Sequence, residues 1–433
     1  MDFWHRNIRL INHVIIKVIM NIKEIRKNFT ILDKELYGRK LIYLDNGATT
    51  QVPECVLECL GNHYAHENGN IHRGAHYLSN LSTERFEDAR QYIASFIGAK
   101  NPRNIVFTYN TTDSINYVAT SLKEEISKGD RVIVTSSEHH SNYLPWQQIC
   151  LEKEAELVVI PMTEGHTDWE LMKKEIRNGV RVVAFAYVTN VTGEVAPAKE
   201  IIDTAKEVGA ITLIDGAQCL RHEDISVDNL GCDFFAFSAH KMMSVGGIGI
   251  LYISDYMIER MRPSRFGGGM VDEAETGKWL EAPSRFEAGT PNYQGAISLA
   301  RALRFLGEVG RSEIAKLEES LLEETEKLLM EIPGVEVLGS PQKRAGVISI
   351  IADKCHPYDM AAMLDKQGIA ARSGHMCAQP QMKEFGITSA LRISPAFYNT
   401  EEEIEIACKC LGETINLIRS YGGTNYGHQN GRN

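Results

Sequence analysis

From about Asn104 onward the chain alternates short apolar, β-branched runs with longer amphipathic stretches, and this alternation limits the fold more than any other feature. Continuous apolar runs that are separated by helical patterns are typical of parallel strands covered on both faces. The sequence therefore predicts an α/β domain with a mainly parallel sheet. The predicted strands lie in NIVFT, RVIVTS, ELVVIP, VRVVAFAYV, AITLID, FFAFS and GIGILYI.

After Gly289 the pattern changes to long helical stretches with fewer strands, which lie in VEVLG, GVISII and LRIS. A smaller α+β domain follows from this change, and a chain of 433 residues is too long for one compact core. The Gly- and Asn-rich end has no apolar period and is predicted to be disordered. The expected division is a large domain at 45–289, a small domain at 20–44 plus 290–421, and disordered ends at 1–19 and 422–433.

Charge and cysteine usage narrow the classes of function. The net charge of −11 gives no basic field for nucleic acid or an anionic membrane, so we expect a small-molecule substrate. Nine cysteines without a C-x-x-C pair fit neither a disulfide framework nor a zinc site, and no metal is expected. The first apolar run is interrupted by Lys17, lacks a cleavage site and is too short to span a bilayer, which predicts a cytoplasmic protein.

A lysine directly follows one of the predicted strands. Ser238, His240 and Lys241 come at the end of FFAFS, at the sheet edge where open α/β folds bind ligands. The neighbouring strand AITLID ends in Asp215, which brings a carboxylate to the same edge. A lysine amine and an acid for a pyridinium nitrogen are the groups that pyridoxal phosphate requires. The alternative for Asp215 is an ordinary helix cap.

Two further turns reach this edge. In NIVFTYNTTDSIN a strand is followed by Thr111 and Thr112 and then by a helix that we expect to begin near Asp113, and free amides at a helix start suit a phosphate. SSEHHSN brings His139 and His140, of which one could stack on an aromatic cofactor and move protons. Together the two turns predict a phosphate-binding site with an imidazole beside it.

These residues, with others in the same order, resemble the class V, fold-type I enzymes that depend on pyridoxal phosphate, and within them the SufS-type (group II) cysteine desulfurases. The resemblance runs from about Ile22 to about Leu417 and implies a large domain with a seven-stranded sheet and a smaller α+β domain. The motifs are YLDNGATT, HRGAHYLS, NTTDSIN, SEHHSNYLPW, VTNVTGE, LIDGAQ, FSAHK, RFEAGTPN, ARSGHMCAQP and LRISPAFYNTEEEI.

The resemblance also implies roles at the cofactor. Lys241 would hold pyridoxal phosphate covalently, Asp215 would pair with its ring nitrogen, and His139 would stack on its ring and take part in proton transfer. The other implied cofactor contacts are Thr111, Thr112, Asn190, Gln218, Ser238, His240 and, from a second subunit of a homodimer, Thr290.

At the substrate end the resemblance implies that Arg392 holds the carboxylate of L-cysteine, with Arg372 and Asn190 beside it, since a planar guanidinium suits a bidentate carboxylate. Cys377 would take the sulfur as a persulfide and leave L-alanine, for iron–sulfur cluster assembly or other sulfur traffic. RSGHMCAQP is predicted to be a short loop between Gly374 and Pro380, so that a SufE- or SufU-like protein would have to approach and collect the sulfur.

Several interpretations stay open. From the residues alone Cys377 could be a buried structural cysteine, because only exposed thiols near positive charge are reactive. Selenocysteine lyase activity on L-selenocysteine and another activity of the class V fold are alternatives to desulfuration. The sequence also departs from the family pattern at Gly47, Met376, and the pair Ser244 and Val245, none of which removes a proposed catalytic atom.

Overall fold

The computed structural model describes residues 22–72 and 74–422. The predicted disorder of 1–19 and of almost all of 422–433 lies outside the described residues. Over the described part of the chain, no helix combines the length and the apolar character that crossing a membrane requires. Within those same ranges, no three His, Cys, Asp or Glu side chains are gathered as metal ligands would be.

The main sheet has seven strands and confirms the predicted fold class. Its strand order is β1-β7-β6-β5-β4-β2-β3, and all strands are parallel except β7, which pairs antiparallel with both neighbours. Each predicted run contains the strand that the structure shows. The strands are β1 Ile105–Thr108, β2 Arg131–Thr135, β3 Glu156–Ile160, β4 Val180–Ala186, β5 Ile211–Asp215, β6 Phe234–Ser238 and β7 Gly249–Ile253.

Helices cover both faces of this sheet. Because successive side chains of a strand point to opposite faces, Phe235 and Phe237 of β6 belong to one buried cluster while Phe234 and Ala236 belong to another. Besides the helical residues at 22–26, the α-helices of the described chain are α1 Glu54–Asn62, α2 Tyr77–Phe96, α3 Thr111–Leu122, α4 His140–Lys153, α5 Trp169–Glu175, α6 Ala198–Glu207, α7 Val227–Leu230, α8 Asp255–Arg260, α9 Tyr293–Val309, α10 Arg311–Met330, α11 Pro357–Asp365, α12 Gln379–Glu384 and α13 Glu401–Ser420.

A second, antiparallel sheet of four strands follows in the order β8-β9-β11-β10. Helices α10, α11 and α13 supply most of its separate apolar core. The division into domains stays a prediction, although α9 and residues near Phe29 share the core of the main sheet. The strands are β8 Val335–Val337, β9 Ile348–Ala352, β10 Arg372–Gly374 and β11 Ala390–Ile393.

Short pairings tie the start of the chain to this second sheet. Ile42–Tyr43 pairs in parallel with Ile369–Ala370, and Asp45 forms a bridge with Ser394 just beyond β11. One hairpin is formed by the two-residue strands Glu35–Leu36 and Arg39–Lys40. The segment that follows Tyr43 is thereby placed beside β10 and β11, where the two sheets meet.

A buried ion pair lies beside β1 of the main sheet. Arg90 and Glu287 are almost fully buried, with Nη1 to Oε1 at 2.7 Å and Nη2 to Oε2 at 2.9 Å. Glu287 also accepts the Phe107 N–H at 2.8 Å, and Arg90 donates to the Ile105 carbonyl at 2.7 Å. The pair therefore joins α2 and β1 to the segment before α9.

Arg90→Leu should lower the free energy of unfolding by about 3–5 kcal/mol, because the Glu287 carboxylate then stays buried without its partner. Urea denaturation followed by tryptophan fluorescence measures the loss. The control Lys199→Ala removes the exposed pair with Asp203 and should change stability by about 0.5 kcal/mol or less. Equal losses in the two variants would contradict the assignment of a buried, structurally important pair.

Candidate active site

The carboxyl ends of several main-sheet strands, the start of α3 and the ends of β10 and β11 enclose a cavity of about 270 Å³. The structure brings together in its wall every residue that the sequence predicted for the site, except one. Thr290 is exposed and does not line the cavity of its own chain. The predicted residues that line it are Thr111, Thr112, His139, Asn190, Asp215, Gln218, Ser238, His240, Lys241, Arg372, Cys377 and Arg392.

Lys241 ends a single turn of 3₁₀ helix, Ala239–Lys241, directly after β6. Burial lowers the pKa of its amine to about 8, although the charge of Asp215 acts in the opposite direction. Asp215 is buried at the end of β5, its pKa is raised by desolvation, and it accepts the Ala217 N–H at 2.9 Å. A part of the amine is therefore neutral near physiological pH, as a nucleophile or base must be.

Hydroxyl groups and a helix start face the cavity together. The Asn110 side chain caps α3 by accepting the Asp113 N–H at 2.9 Å, so the helix begins two residues before the predicted Asp113. Ser238 Oγ accepts the Thr111 N–H at 2.8 Å and lies 2.7 Å from Thr111 Oγ1. A Cβ at Gly249 would lie 2.6 Å from the Asn110 backbone, so β7 can run beside this turn only with glycine there.

The two histidines at the start of α4 differ in their surroundings. His139 caps the helix, its Nδ1 accepting the Ser141 N–H at 3.1 Å, and Ser141 Oγ lies 2.6 Å from Thr112 Oγ1. Burial, followed by the charge of Lys241, lowers the pKa of His139 to about 3, which keeps the ring neutral. Burial likewise lowers the pKa of His240 to about 4. Neutral rings can pack flat against an aromatic ligand without the cost of a buried charge.

Two arginines form the opposite wall. Arg392 is buried on β11 and donates from Nη1 to the Asn190 carbonyl at 3.0 Å, and burial lowers its pKa to about 10. Arg372 on β10 is instead paired with Asp45, with Nε at 3.0 Å and Nη2 at 2.8 Å from the two carboxylate oxygens. Arg392 Nη2 lies 3.5 Å from the same carboxylate. Of the two arginines, Arg392 is thus the one that is less tightly paired with Asp45, and its Nε has no partner among the described residues.

Cys377 is exposed, unlike the eight other cysteines, which are buried or half-buried. Its loop is shorter than predicted, because Gly374 is the last residue of β10 and Pro380 lies in the first turn of α12. Met376 and Cys377 have φ of 51° and 54°, and the Ala378 N–H donates to the His375 carbonyl at 2.9 Å, which closes a tight turn. Both conformations are uncommon for residues other than glycine.

Four hydrogen bonds hold this turn to the start of α4, to the segment after β4 and to itself. The His140 N–H donates to the Cys377 carbonyl at 2.7 Å, and Asn190 Nδ2 donates to the Met376 carbonyl at 2.6 Å. The Cys377 N–H donates to His375 Nδ1 at 3.0 Å, and the Gln379 N–H donates to His140 Nε2 at 3.2 Å. The backbone that carries the thiol is therefore held at the cavity mouth by His140, by Asn190 and by the residues of the turn itself.

The sequence did not single out three polar residues near the site. Asp45 pairs with Arg372, and Gln381 is fully buried and donates to Ser137 Oγ at 3.2 Å. Glu138 accepts from Thr135, Asn142 and the Ala186 N–H, and desolvation raises its pKa to about 8. The available signals were the position of Glu138 beside His139 and that of Asp45 shortly after Ile42–Tyr43, whereas no such signal marks Gln381, which lies inside α12.

The cavity suits pyridoxal phosphate on the evidence of its own groups. The α3 start offers hydroxyls and N–H groups for a phosphate, Asp215 offers a carboxylate for a ring nitrogen, and Lys241 offers an amine. Asn190 Oδ1 and Arg392 Nε are buried and have no hydrogen-bond partner within the described residues. Since buried polar atoms normally find partners, these two indicate places for ligand atoms.

Comparison with known proteins agrees with this geometry. The sequence pattern of the family described as aminotransferase class-V matches residues 42–406. A probable cysteine desulfurase of Halalkalibacterium halodurans is 44% identical over 399 residues, which are 91% of this chain and 98% of that protein. One from Vibrio cholerae is 38% identical over 405 residues, covering 93% of this chain and 100% of that protein.

Solved structures give the same result. The apo structure of a cysteine desulfurase from Thermococcus onnurineus superposes with a TM-score of 0.87 at 38% identity, covering 91% of this chain and 98% of that one. The cysteine desulfurase CsdA (S-sulfonic acid) from Escherichia coli gives a TM-score of 0.85 at 33% identity, covering 92% and 98%. With the matching residues spanning both sheets and the cavity between them, the chain belongs to the aminotransferase class-V family.

Proposed function

We propose that this chain is a pyridoxal-phosphate-dependent cysteine desulfurase, which converts L-cysteine to L-alanine and takes the sulfur onto Cys377 as a persulfide. One observation carries the proposal: a single cavity joins Lys241 and Asp215 at its base to an exposed cysteine at its mouth. The match to the relatives that are named cysteine desulfurases extends over almost their whole length, and this supports the same reaction here.

Each step assigns a task to a residue in the cavity wall. Arg392 binds the substrate carboxylate, with Asn190 Oδ1 beside it. Bound pyridoxal phosphate withdraws electrons from the substrate Cα and so makes its proton acidic. Lys241, neutral in part because its pKa is about 8, removes this proton, and Lys241 or His139 returns a proton to the product.

Cys377 completes the reaction. Its thiolate attacks the substrate sulfur, the bond between that sulfur and Cβ breaks, and Cβ keeps the electron pair and gains a proton, so that cysteine and thiol become alanine and persulfide. The turn that carries Cys377 is fastened at His140 and Asn190, which supports a thiol kept within reach of the substrate. Thr111, Thr112, Ser238 and His240 are proposed to hold the phosphate, with Gln218 on the phenolic side.

The enzyme subtype, the sulfur acceptor and the oligomeric state are also proposals. A loop confined to 375–378 cannot carry sulfur far, which supports a SufS-type (group II) enzyme whose SufE- or SufU-like acceptor comes to the cavity mouth. Thr290 is exposed and does not line its own cavity, which is compatible with a homodimer in which it completes the partner's site. Cytoplasmic location stays a prediction.

The function is tested with the purified holoprotein and L-cysteine. Alanine formed in equal amount to the sulfur released, measured by amino-acid analysis and sulfide release with a thiol reductant, is the expected result. Pyruvate in place of alanine, or conversion of the cofactor to its amine form, would show a different reaction of the same fold and overturn the assignment.

The pKa of Lys241 predicts how the apoprotein captures its cofactor. A protonated amine cannot attack an aldehyde, so the rate of covalent attachment at Lys241 should rise with pH up to about 8 and then level off. Stopped-flow absorbance after mixing apoprotein with cofactor measures this rate. The pH series runs from about 6 to about 10, which covers the lowered pKa and approaches the ordinary lysine pKa of ~10.4. A rise that continues through about 10 would contradict the lowered pKa.

A further inference from the structure

A buried carboxylate on α10 joins three segments of the chain. Arg221 Nη1 donates to Glu318 Oε1 at 2.5 Å, and the Phe397 N–H donates to the same oxygen at 3.0 Å. The other carboxylate oxygen, Oε2, lies 2.6 Å from His222 Nδ1. The side chains of Glu318, Arg221 and His222 are at most 5% exposed. These three side chains and the Phe397 N–H are called the Glu318 cluster below.

The surroundings of the Glu318 cluster leave it little freedom. Gly346, just before β9, has a φ of 71°, and a Cβ at this position would overlap His222 Nε2, so the second sheet approaches the imidazole with bare backbone. Burial alone would raise the pKa of Glu318, but the neighbouring Arg221 and His222 hold it below its ordinary value. The carboxylate is therefore ionised at neutral pH, and a buried ionised group requires its partners.

Two of the joined segments supply different walls of the active-site cavity. Arg221 follows Asp215 and Gln218 in the segment after β5, on the side proposed to hold the cofactor. Phe397 follows Arg392 in the segment after β11, on the side proposed to bind the substrate carboxylate. The Glu318 cluster does not itself line this cavity. It therefore connects the two walls from outside the cavity.

Inside the cavity the same two segments meet at Gly47. Gln218 Nε2 donates to the Gly47 carbonyl at 2.7 Å, and the Gly47 N–H donates to Ser394 Oγ at 2.8 Å. A Cβ at Gly47 would lie 2.8 Å from Val347 Cγ1 and 3.1 Å from Arg392 Cζ, so the contact is close packed. The separation of the two walls is thus set at two places, by Gly47 inside the cavity and by the Glu318 cluster outside it.

We propose that Glu318 is a positioning residue, which fixes the distance between the cofactor side and the carboxylate-binding side of the cavity through the Glu318 cluster. The inference rests on the proposed function, since it assumes that Arg392 binds the substrate while the segment of Asp215 holds the cofactor. It adds a group outside the cavity on which that arrangement depends. Interactions outside a site can matter in this way because a small displacement of a binding group weakens binding and slows reaction.

The pairing of Glu318 with Arg221 also bears on the charge near Lys241. Burial is the main cause that lowers the pKa of the Lys241 amine, and the charge of Arg221 adds to this effect. The other titratable or charged groups that face the amine are Asp215, Arg392, Cys377, His139 and His240. Because Glu318 neutralises Arg221, removal of either partner leaves an unpaired charge, positive in one case and negative in the other.

Glu318→Gln keeps the size of the side chain and removes its charge. We expect the KM for cysteine to rise about tenfold, with a smaller change of kcat per bound cofactor, because Arg392 shifts relative to the cofactor. The affinity of the holoprotein for L-alanine, followed by the absorbance of the bound cofactor, should fall by a similar factor. Arg221→Met removes the partner instead, serves if the glutamine variant does not fold, and should change KM and affinity in the same direction.

The pH dependence of cofactor attachment to the apoprotein gives a readout that a merely structural role would not move. The midpoint of the rise in attachment rate should fall by about half a pH unit in Glu318→Gln, because the positive charge left near Lys241 disfavours its protonated form. In Arg221→Met the midpoint should rise by about the same amount, because the charge left behind is negative.

The matched control is Arg131→Gln, which breaks a largely buried ion pair with Glu175 at the start of β2, at the other end of that strand from the cavity. This variant should lose stability but keep the wild-type KM, L-alanine affinity and pH midpoint. Its behaviour shows what the loss of a structural ion pair does without displacement of the site.

The outcomes separate this proposal from the proposed function. Alanine formation from cysteine by the wild type tests the function alone, whereas L-alanine binding and cofactor attachment do not depend on desulfuration. Glu318→Gln and Arg221→Met variants that match Arg131→Gln, with stability lowered but KM and L-alanine affinity unchanged, would overturn the positioning role. Midpoints that move in the same direction in the two variants would also overturn it, because the charge pairing of Glu318 with Arg221 would then not be the link.

Discussion

Cys377→Ala should abolish the formation of protein-bound sulfur from L-cysteine and lower alanine production by about 10²-fold or more, because the substrate sulfur loses its nucleophile. The alanine variant should keep the visible absorbance of the bound cofactor, since Cys377 is on a turn at the cavity mouth and Lys241 is at the base. Steady-state alanine assays with wild type and variant measure the effect. Cys55→Ala, which changes a half-buried cysteine on α1, is the matched control.

The same variant distinguishes the two substrates that the family resemblance left open. Selenium leaves carbon more readily than sulfur does, so activity toward L-selenocysteine should largely survive in Cys377→Ala. Retained activity toward L-cysteine would contradict the account, because the reaction would then release sulfur without an enzyme thiol. Loss of activity toward both substrates would place Cys377 in a step that the two share.

Lys241→Ala should lower activity with cysteine by about 10³-fold or more, because it removes both the covalent attachment of the cofactor and the group that moves the Cα proton. Asp215 and the hydroxyls at the start of α3 remain, so the variant should still bind cofactor, now without a covalent bond. Borohydride reduction followed by peptide mass spectrometry should find cofactor fixed at Lys241 in the wild type and nowhere in the variant.

A control variant and two contrary outcomes test the role of Lys241 further. Lys199→Ala, at an exposed lysine on α6, should behave as the wild type in both assays. A Lys241→Ala variant with full activity would exclude Lys241 from the reaction. Cofactor that reduction fixes at another lysine of the wild type would show that the cavity at the end of β6 is not where it binds.

The main sheet was predictable because most of its strands are buried on both faces and therefore read as continuous apolar runs, the edge strand β3 being only partly buried. The segment Ile105–Thr108 is buried at all four positions, as are the five residues of Phe234–Ser238. The chain before Asn104 was less readable, since α1 and α2 have polar faces and no strands between them to mark the pattern. Such helices are specified by their packing against α9 more than by local sequence.

The positions of site residues at or after the ends of strands could be predicted. Contacts between residues that are far apart in the sequence could not. Asp215 ends β5 and Lys241 follows the adjacent strand β6, so their meeting at one edge could be foreseen. The pairing of Arg372 with Asp45 joins residues 327 positions apart in the chain, and no local pattern reports it. The expected loop around Cys377 was too long because Pro380, which suggested a loop end, occupies the first turn of α12, a position that favours proline.

The most direct test of the account is to locate the sulfur during turnover. Wild-type holoprotein is mixed with L-cysteine, quenched within a few turnovers with an alkylating reagent, digested and analysed by peptide mass spectrometry. We predict one additional sulfur atom on the peptide that contains Cys377, in proportion to the alanine formed. Alanine formed with no added sulfur on Cys377, or with the sulfur on another cysteine, would contradict it.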